Sequence, residues 1–103
     1  MKSRREIGRL IEKEYKTLKE NMGYRCIISR GLPFRDNDFW NLFDIICLRK
    51  DGGLLVQVKA NQIRGLTKSL KIFLPWCPDN FKIIAAIKYV KEDRWREIEI
   101  KNA

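Results

Sequence analysis

The sequence predicts a mixed α/β (α+β) domain, one β-sheet with helices packed against it. Three observations lead there. Apolar residues first follow a helical period, over residues 3–22. Runs of strand character come next, and a second short helical pattern separates the third run from the fourth, giving the order α-β-β-β-α-β-β. Layering helices on one sheet is the simplest way to bury the apolar faces of such elements. The fourth strand is reached through a helix, which predicts a parallel pairing within a mixed sheet.

Each element has its own signal. Ile7, Leu10, Ile11, Tyr15, Leu18 and Met22 follow helical spacing, Ser3 with Glu6 offers a capping box, and Gly23 stands where a helix ends. YRCIIS (24–29) reads as a short strand, and RGLPFRDND (30–38) as a polar loop. A hairpin follows from about 40 to 60. Leu66, Leu70 and Phe73 suggest a short helix over 65–73, and Pro75 and Pro78 bracket a loop. FKIIAAIKYV (81–90) is a buried strand, and RWREIEI (94–100) an alternating edge strand. At 103 residues the chain has the length of one domain, 1–103.

Composition narrows the chemistry. Lys plus Arg is 22 against 13 acidic residues, a net charge of +9. A domain this basic commonly meets a polyanion, above all nucleic acid. No His is present, so His-based acid–base catalysis and His-ligated zinc are excluded. Cys26, Cys47 and Cys77 are odd in number and widely spaced, which suggests neither a disulfide framework nor a zinc knuckle. Catalysis would fall to carboxylates, Lys and a hard metal ion. No apolar run approaches the ~20 residues that span a membrane, and the basic N-terminus leads into a mixed helix rather than a signal peptide. The expected address is the cytoplasm.

The stretch FDIICLRKDGGLLVQVKANQ, 43–62, places polar groups where a core is expected. A two-residue turn centred on Asp51-Gly52 would pair Lys50 with Gly53, Ile46 with Gln57 and Asp44 with Lys59. Opposed residues share a face, so Asp44, Gln57 and Lys59 would project together. Two readings follow. Asp44 and Lys59 form a cross-strand ion pair while Gln57 faces solvent. Alternatively, Asp44 and the Gln57 oxygen ligate a divalent cation, with Lys59 beside a phosphate.

FDIICLRKDGGLLVQVK resembles the core motif of the PD-(D/E)xK nuclease superfamily, an Asp on one strand, a turn, then acid-x-Lys on the next. GRLIEKEYKTLKENMGYRCIIS is similar to the opening of archaeal Holliday-junction resolvases and Mrr-like nucleases, with Gly8, Glu12 and Gly23-Tyr24 in matching places. The resemblance covers roughly residues 8–62. It implies a restriction-endonuclease-like fold and a metal-dependent endodeoxyribonuclease that uses Mg²⁺ or Mn²⁺. By position, Asp44, Gln57, the Val58 carbonyl and Glu12 would hold the metal, Lys59 would be the catalytic lysine, and Ser29 would lie near the phosphate. Phe43 stands in place of the motif's Pro, and Gln57 in place of its acid, so the site carries one negative charge fewer. Helical projection alone favours Glu14 over Glu12, because Glu14 lies nearer the apolar stripe.

Further candidates carry two readings each. Arg30 and Arg35 either grip phosphates or decorate a solvated loop, and Lys68 and Lys71 either reach a DNA backbone or are solvated helix charges. Trp40 and Trp95 read as packing residues, and Trp76, between prolines, as a stacking or dimer-contact candidate. The expected partner is branched or duplex DNA, engaged by a homodimer, because paired cuts need two sites. The alternative is a nucleic-acid-binding module that keeps the fold without catalysis.

Overall fold

Ser3 starts the first helix as its spacing to Glu6 predicts: its hydroxyl accepts the Glu6 N–H at 3.2 Å. Helix α1 then runs Arg4–Glu20, and Gly23, with a φ of 96°, accompanies the turn that ends it. The computed structural model describes residues 3–29, 39–40 and 42–101. The strands are β1 (Arg25–Ile28), β2 (Ile45–Arg49), β3 (Gly52–Ala60), β4 (Phe81–Tyr89) and β5 (Arg94–Ile100), with α2 (Leu66–Lys71) and a 3-10 turn (Leu74–Trp76) between β3 and β4.

The five strands lie side by side in chain order, β1-β2-β3-β4-β5. All neighbours are antiparallel except β3 and β4, which pair in parallel, as the intervening helix requires. Alternation splits the core into two layers. Ile11 and Tyr15 of α1 pack on Cys47, Val56, Val58, Ile84 and Ala86. Leu66 and Leu70 of α2 pack on the other face, with Phe43, Leu55, Ile83 and Ile87. Cys26 and Cys47 are directly opposed and buried, Sγ to Sγ 2.9 Å, and burial pushes both thiols up, so they pack as small apolar groups.

The hairpin differs from expectation by two residues. Arg49 pairs with Gly52 and Leu48 with Gly53, so the turn is Lys50-Asp51 and not Asp51-Gly52. The predicted pairings Lys50–Gly53, Ile46–Gln57 and Asp44–Lys59 are therefore replaced, with Ile46 opposite Leu55. The reason lies in β4. A Cβ on Gly52, whose φ is 155°, would sit 1.8 Å from the Asn80 carbonyl oxygen, and one on Gly53 would sit 2.7 Å from the Phe81 ring. Gly52 serves the close approach of β3 to the start of β4, and Gly53 serves its approach both to β4 and to β2, where the Cβ would lie 2.5 Å from the Cys47 carbonyl oxygen. β2 also begins at Ile45, later than the expected start near 40, because Phe39 and Phe43 close a tight loop by exchanging main-chain hydrogen bonds at 2.9 and 3.0 Å. The second helix is shorter than the expected 65–73.

Ion pairs stitch α1 to the far strands. Lys19 meets Glu97 at 3.0 Å, and the Tyr15 hydroxyl donates to the same carboxylate at 2.9 Å. Lys88, buried on β4, donates to Asp93 at 2.6 Å and to Glu14 at 2.5 Å. The bonds from Asp93 and Glu14 hold Lys88 above its ordinary 10.5, and Lys88 holds Asp93 below its ordinary 3.8. The Lys88 contribution to stability is thus complete below pH 10.5 and lost as pH rises through its folded value. That of Asp93 is complete above 3.8 and lost as pH falls through its own lowered value. Lys88→Met is expected to flatten both limbs of the stability profile. Denaturant midpoints of variant and wild type across pH check it; parallel profiles at both extremes would refute the linkage.

Candidate active site

β2 is joined irregularly to the loop before it. Ile45 is the ladder partner of Val56, yet the Asp44 N–H also donates to the Val56 carbonyl, at 2.8 Å. Two consecutive residues standing against one is the arrangement of a β-bulge, which bends a strand and re-aims a side chain. The Asp44 carboxylate turns onto its own sheet, where Oδ2 accepts the Val58 N–H at 2.8 Å. On the other side the Asp44 carbonyl accepts the Ser29 N–H at 2.8 Å. Asp44 is thereby bonded to both neighbouring segments and is only 6% exposed. Phe43 beside it is fully buried against the Phe73 ring, at 5.1 Å between centroids.

β3 supplies Gln57, half-buried, and Lys59, exposed, with Val58 buried between them. Asn61 ends this strand with a φ of 64°, and its side-chain oxygen accepts the Val90 N–H at 2.9 Å. That bond ties the end of β3 to the end of β4 directly behind the polar residues.

α1 completes the enclosure. Arg4, Ile7, Gly8, Ile11 and Glu12 follow i, i+3, i+4, i+7, i+8 spacing and so share one face. They form one wall of a cavity of about 630 Å³, whose other wall carries Asp44, Gln57, Val58, Lys59 and Asn61. Glu12 is 4% exposed. Glu14, favoured by helical projection, is engaged elsewhere: it bonds Lys88 and accepts the Trp95 indole N–H at 3.0 Å. A second, smaller cavity of about 300 Å³ adjoins the first. Gln57, Lys59 and Gln62 line both, and Arg64 and Ser69 line the smaller one.

The donor set is all oxygen: two carboxylates, an amide and a main-chain carbonyl. Among the described residues no three His, Cys, Asp or Glu side chains cluster as a metal site. Two carboxylates nevertheless fit a hard cation such as Mg²⁺, which takes one or two and keeps several waters. Both carboxylates are buried, Glu12 at 4% and Asp44 at 6% exposure.

The structure thus brings together Glu12, Asp44, Gln57, Val58 and Lys59. Among the described residues, Ser29, Lys68 and Lys71 do not line that cavity. Ser29 is buried one hydrogen bond behind Asp44, through its backbone. Lys68 and Lys71 are exposed on α2 and line neither cavity. Arg30 and Arg35 lie outside the described residues. Trp95 packs edge-on against Tyr15, as expected of a core residue. Trp40, read as a packing residue, does pack on the Phe73 ring at 5.0 Å between centroids, though it stays 60% exposed. Trp76 is 70% exposed. Both tryptophans border an apolar groove of about 690 Å³ on the α2 face of the sheet.

No protein-family model matches the chain, and no curated protein matches it in sequence. Its geometry must speak for it. Three residues of that geometry escaped the sequence reading: Arg4, Asn61 and Arg64. Arg4 had a signal, since Arg4-Gly8-Glu12 is one i, i+4, i+8 row on the helix. Asn61 also had one, as an Asn after a strand suits positive φ. Arg64 had none, because only the fold of the 61–65 connection carries it to Lys59.

Proposed function

We propose that the chain is a metal-dependent endodeoxyribonuclease that hydrolyses DNA phosphodiester bonds in the cavity between α1 and the end of β3. One observation carries this reading. Two buried carboxylates, Glu12 and Asp44, from separate elements converge on the amide of Gln57 and the ammonium of Lys59, in a chain of net charge +9.

Glu12, Asp44, the Gln57 oxygen and the Val58 carbonyl would hold Mg²⁺ or Mn²⁺. Such an ion, when bound, lowers the pKa of water and offsets charge on phosphoryl oxygens. The chain's own residues do the rest. The Val58 N–H fixes the direction of the Asp44 carboxylate. Glu12 presents a second carboxylate from across the cavity, to accept a proton from the attacking water. Lys59, on the exposed rim, binds a non-bridging phosphate oxygen and stabilises the charge that grows there. The substrate is branched or duplex DNA, and two copies of the chain cut opposing strands.

The test is a cleavage screen on four-way junction, flap, linear duplex and single-stranded DNA with Mg²⁺ or Mn²⁺, repeated with EDTA. Cleavage that EDTA abolishes is the expected result. A wild-type chain that cuts none of these with either metal would sink the reading. Salt-sensitive, chelator-indifferent binding without cleavage would establish the binding module instead. Gln57 favours that second outcome, as it leaves the site one charge short of three.

A further inference from the structure

The two cavities that meet at Lys59 have an arginine each. Gln57, Lys59 and Gln62 are common to both, so the cavities form one continuous trough across the end of β3. On the α1 side its wall includes Arg4, and on the α2 side Arg64. Both are exposed, and among the described residues neither guanidinium takes part in a salt bridge. By contrast Lys19 and Lys88 are consumed by carboxylates inside the fold. The trough therefore holds three cations in a row, Arg4, Lys59 and Arg64, with the buried carboxylates on one side of the middle one.

We propose that Arg4 and Arg64 hold the backbone phosphates on either side of the phosphate at Lys59, so that a DNA strand crosses the end of β3 from the α1 face to the α2 face. The proposal rests on the nuclease reading for the middle position only. A guanidinium presents a planar fork that matches phosphate oxygens two at a time, which suits a positioning contact. Such contacts fix the register of the strand and read no sequence. They also account for the separation of roles: Lys59 acts on the phosphate that reacts, and the arginines on its neighbours.

The experiment measures binding of duplex and four-way-junction DNA in EDTA at several salt concentrations between about 50 and 200 mM. The proteins are wild type, Arg4→Ala, Arg64→Ala, the corresponding Lys variants, and Lys82→Ala. Lys82 is exposed at the opposite end of the sheet, near the start of β4. Each Arg→Ala is expected to reduce the slope of log K against log salt by about 0.9 and to weaken binding about three- to tenfold near 0.1 M. The Lys variants keep the slope, because they keep the charge, and Lys82→Ala is unchanged. Wild-type slopes in both Arg→Ala variants would overturn the proposal, and so would an equal loss in Lys82→Ala. Cleavage, assayed separately, keeps the two claims apart. Binding with the expected slopes but no cutting removes the nuclease reading and leaves the phosphate track. Cutting with unaltered slopes does the reverse.

Discussion

Asp44→Asn is expected to lower metal-dependent DNA cleavage by at least about a thousandfold, with the fold intact. Asparagine is nearly the same size and keeps an oxygen to accept the Val58 N–H, so the bond at 2.8 Å survives. What disappears is the negative charge, and with it half of the carboxylate complement of the cavity. Asp44→Ala is the poorer experiment. It would leave the Val58 N–H buried without its acceptor, at a cost of about 1–3 kcal/mol, and so mix loss of activity with loss of stability. Single-turnover cleavage rates and thermal unfolding of the Asn variant give the comparison. An Asn variant that cuts at the wild-type rate would remove Asp44 from the reaction. Lys59→Ala offers an independent check, since an exposed rim residue can be truncated without disturbing the core.

Gly52→Ala is expected to destabilise the protein by about 3 kcal/mol or more, combining backbone strain with overpacking. The added Cβ would lie 1.8 Å from the Asn80 carbonyl oxygen, a main-chain atom that moves only if β4 moves. The φ of 155° adds a conformation that L-residues rarely adopt. Gly65→Ala is the matched control. Its φ of 72° is also positive, but nothing lies within 4 Å of the new Cβ, so its cost should stay near the 1–2 kcal/mol of a left-handed L-residue. Urea denaturation of the two variants separates the effects. A Gly52→Ala protein as stable as Gly65→Ala would mean that β3 and β4 do not approach as closely as described. Because β3 carries Gln57 and Lys59, displacing β4 should also loosen the cavity.

Much of this arrangement was legible from residue order, and the errors have physical causes. The capping box, the element order and the parallel fourth strand follow from local pattern. The hairpin register differs by two residues from the one that Asp-Gly-Gly predicts as a turn, because the glycines answer to a neighbour not adjacent in sequence. Gln57 and Lys59, two apart on one strand, share a face whatever the register, and the bulge at Asp44 turns its carboxylate to the same cavity. The bulge at Asp44 left no signature, since nothing in Phe43-Asp44-Ile45 distinguishes a bent strand from a straight one. Tertiary packing separates Glu12, which lines the cavity, from Glu14, which bonds Lys88 and Trp95. Helical projection misplaces the buried face, because Leu10 and Leu18, which it counts, are exposed while Glu12 is buried, and Lys88 and Trp95 take Glu14 from strands that the projection cannot see.

The central position of β3 has a consequence for how the protein breathes. It pairs with β4 from Gly53 to Ala60 but with β2 only as far as Val56, so the strand segment around Gln57 and Lys59 is tied to β4 and, through the Val58 N–H, to the Asp44 carboxylate. The α2 side of the trough is built differently: six residues of helix, begun at a glycine without a side-chain cap, preceded by an exposed connection. Local opening is therefore cheap on that side and costly under the carboxylates. On the proposed reading, a bulky strand would be admitted by yielding of the α2 shoulder while the floor that holds Asp44 stays in place, which would divide accommodation from alignment between two parts of one small domain.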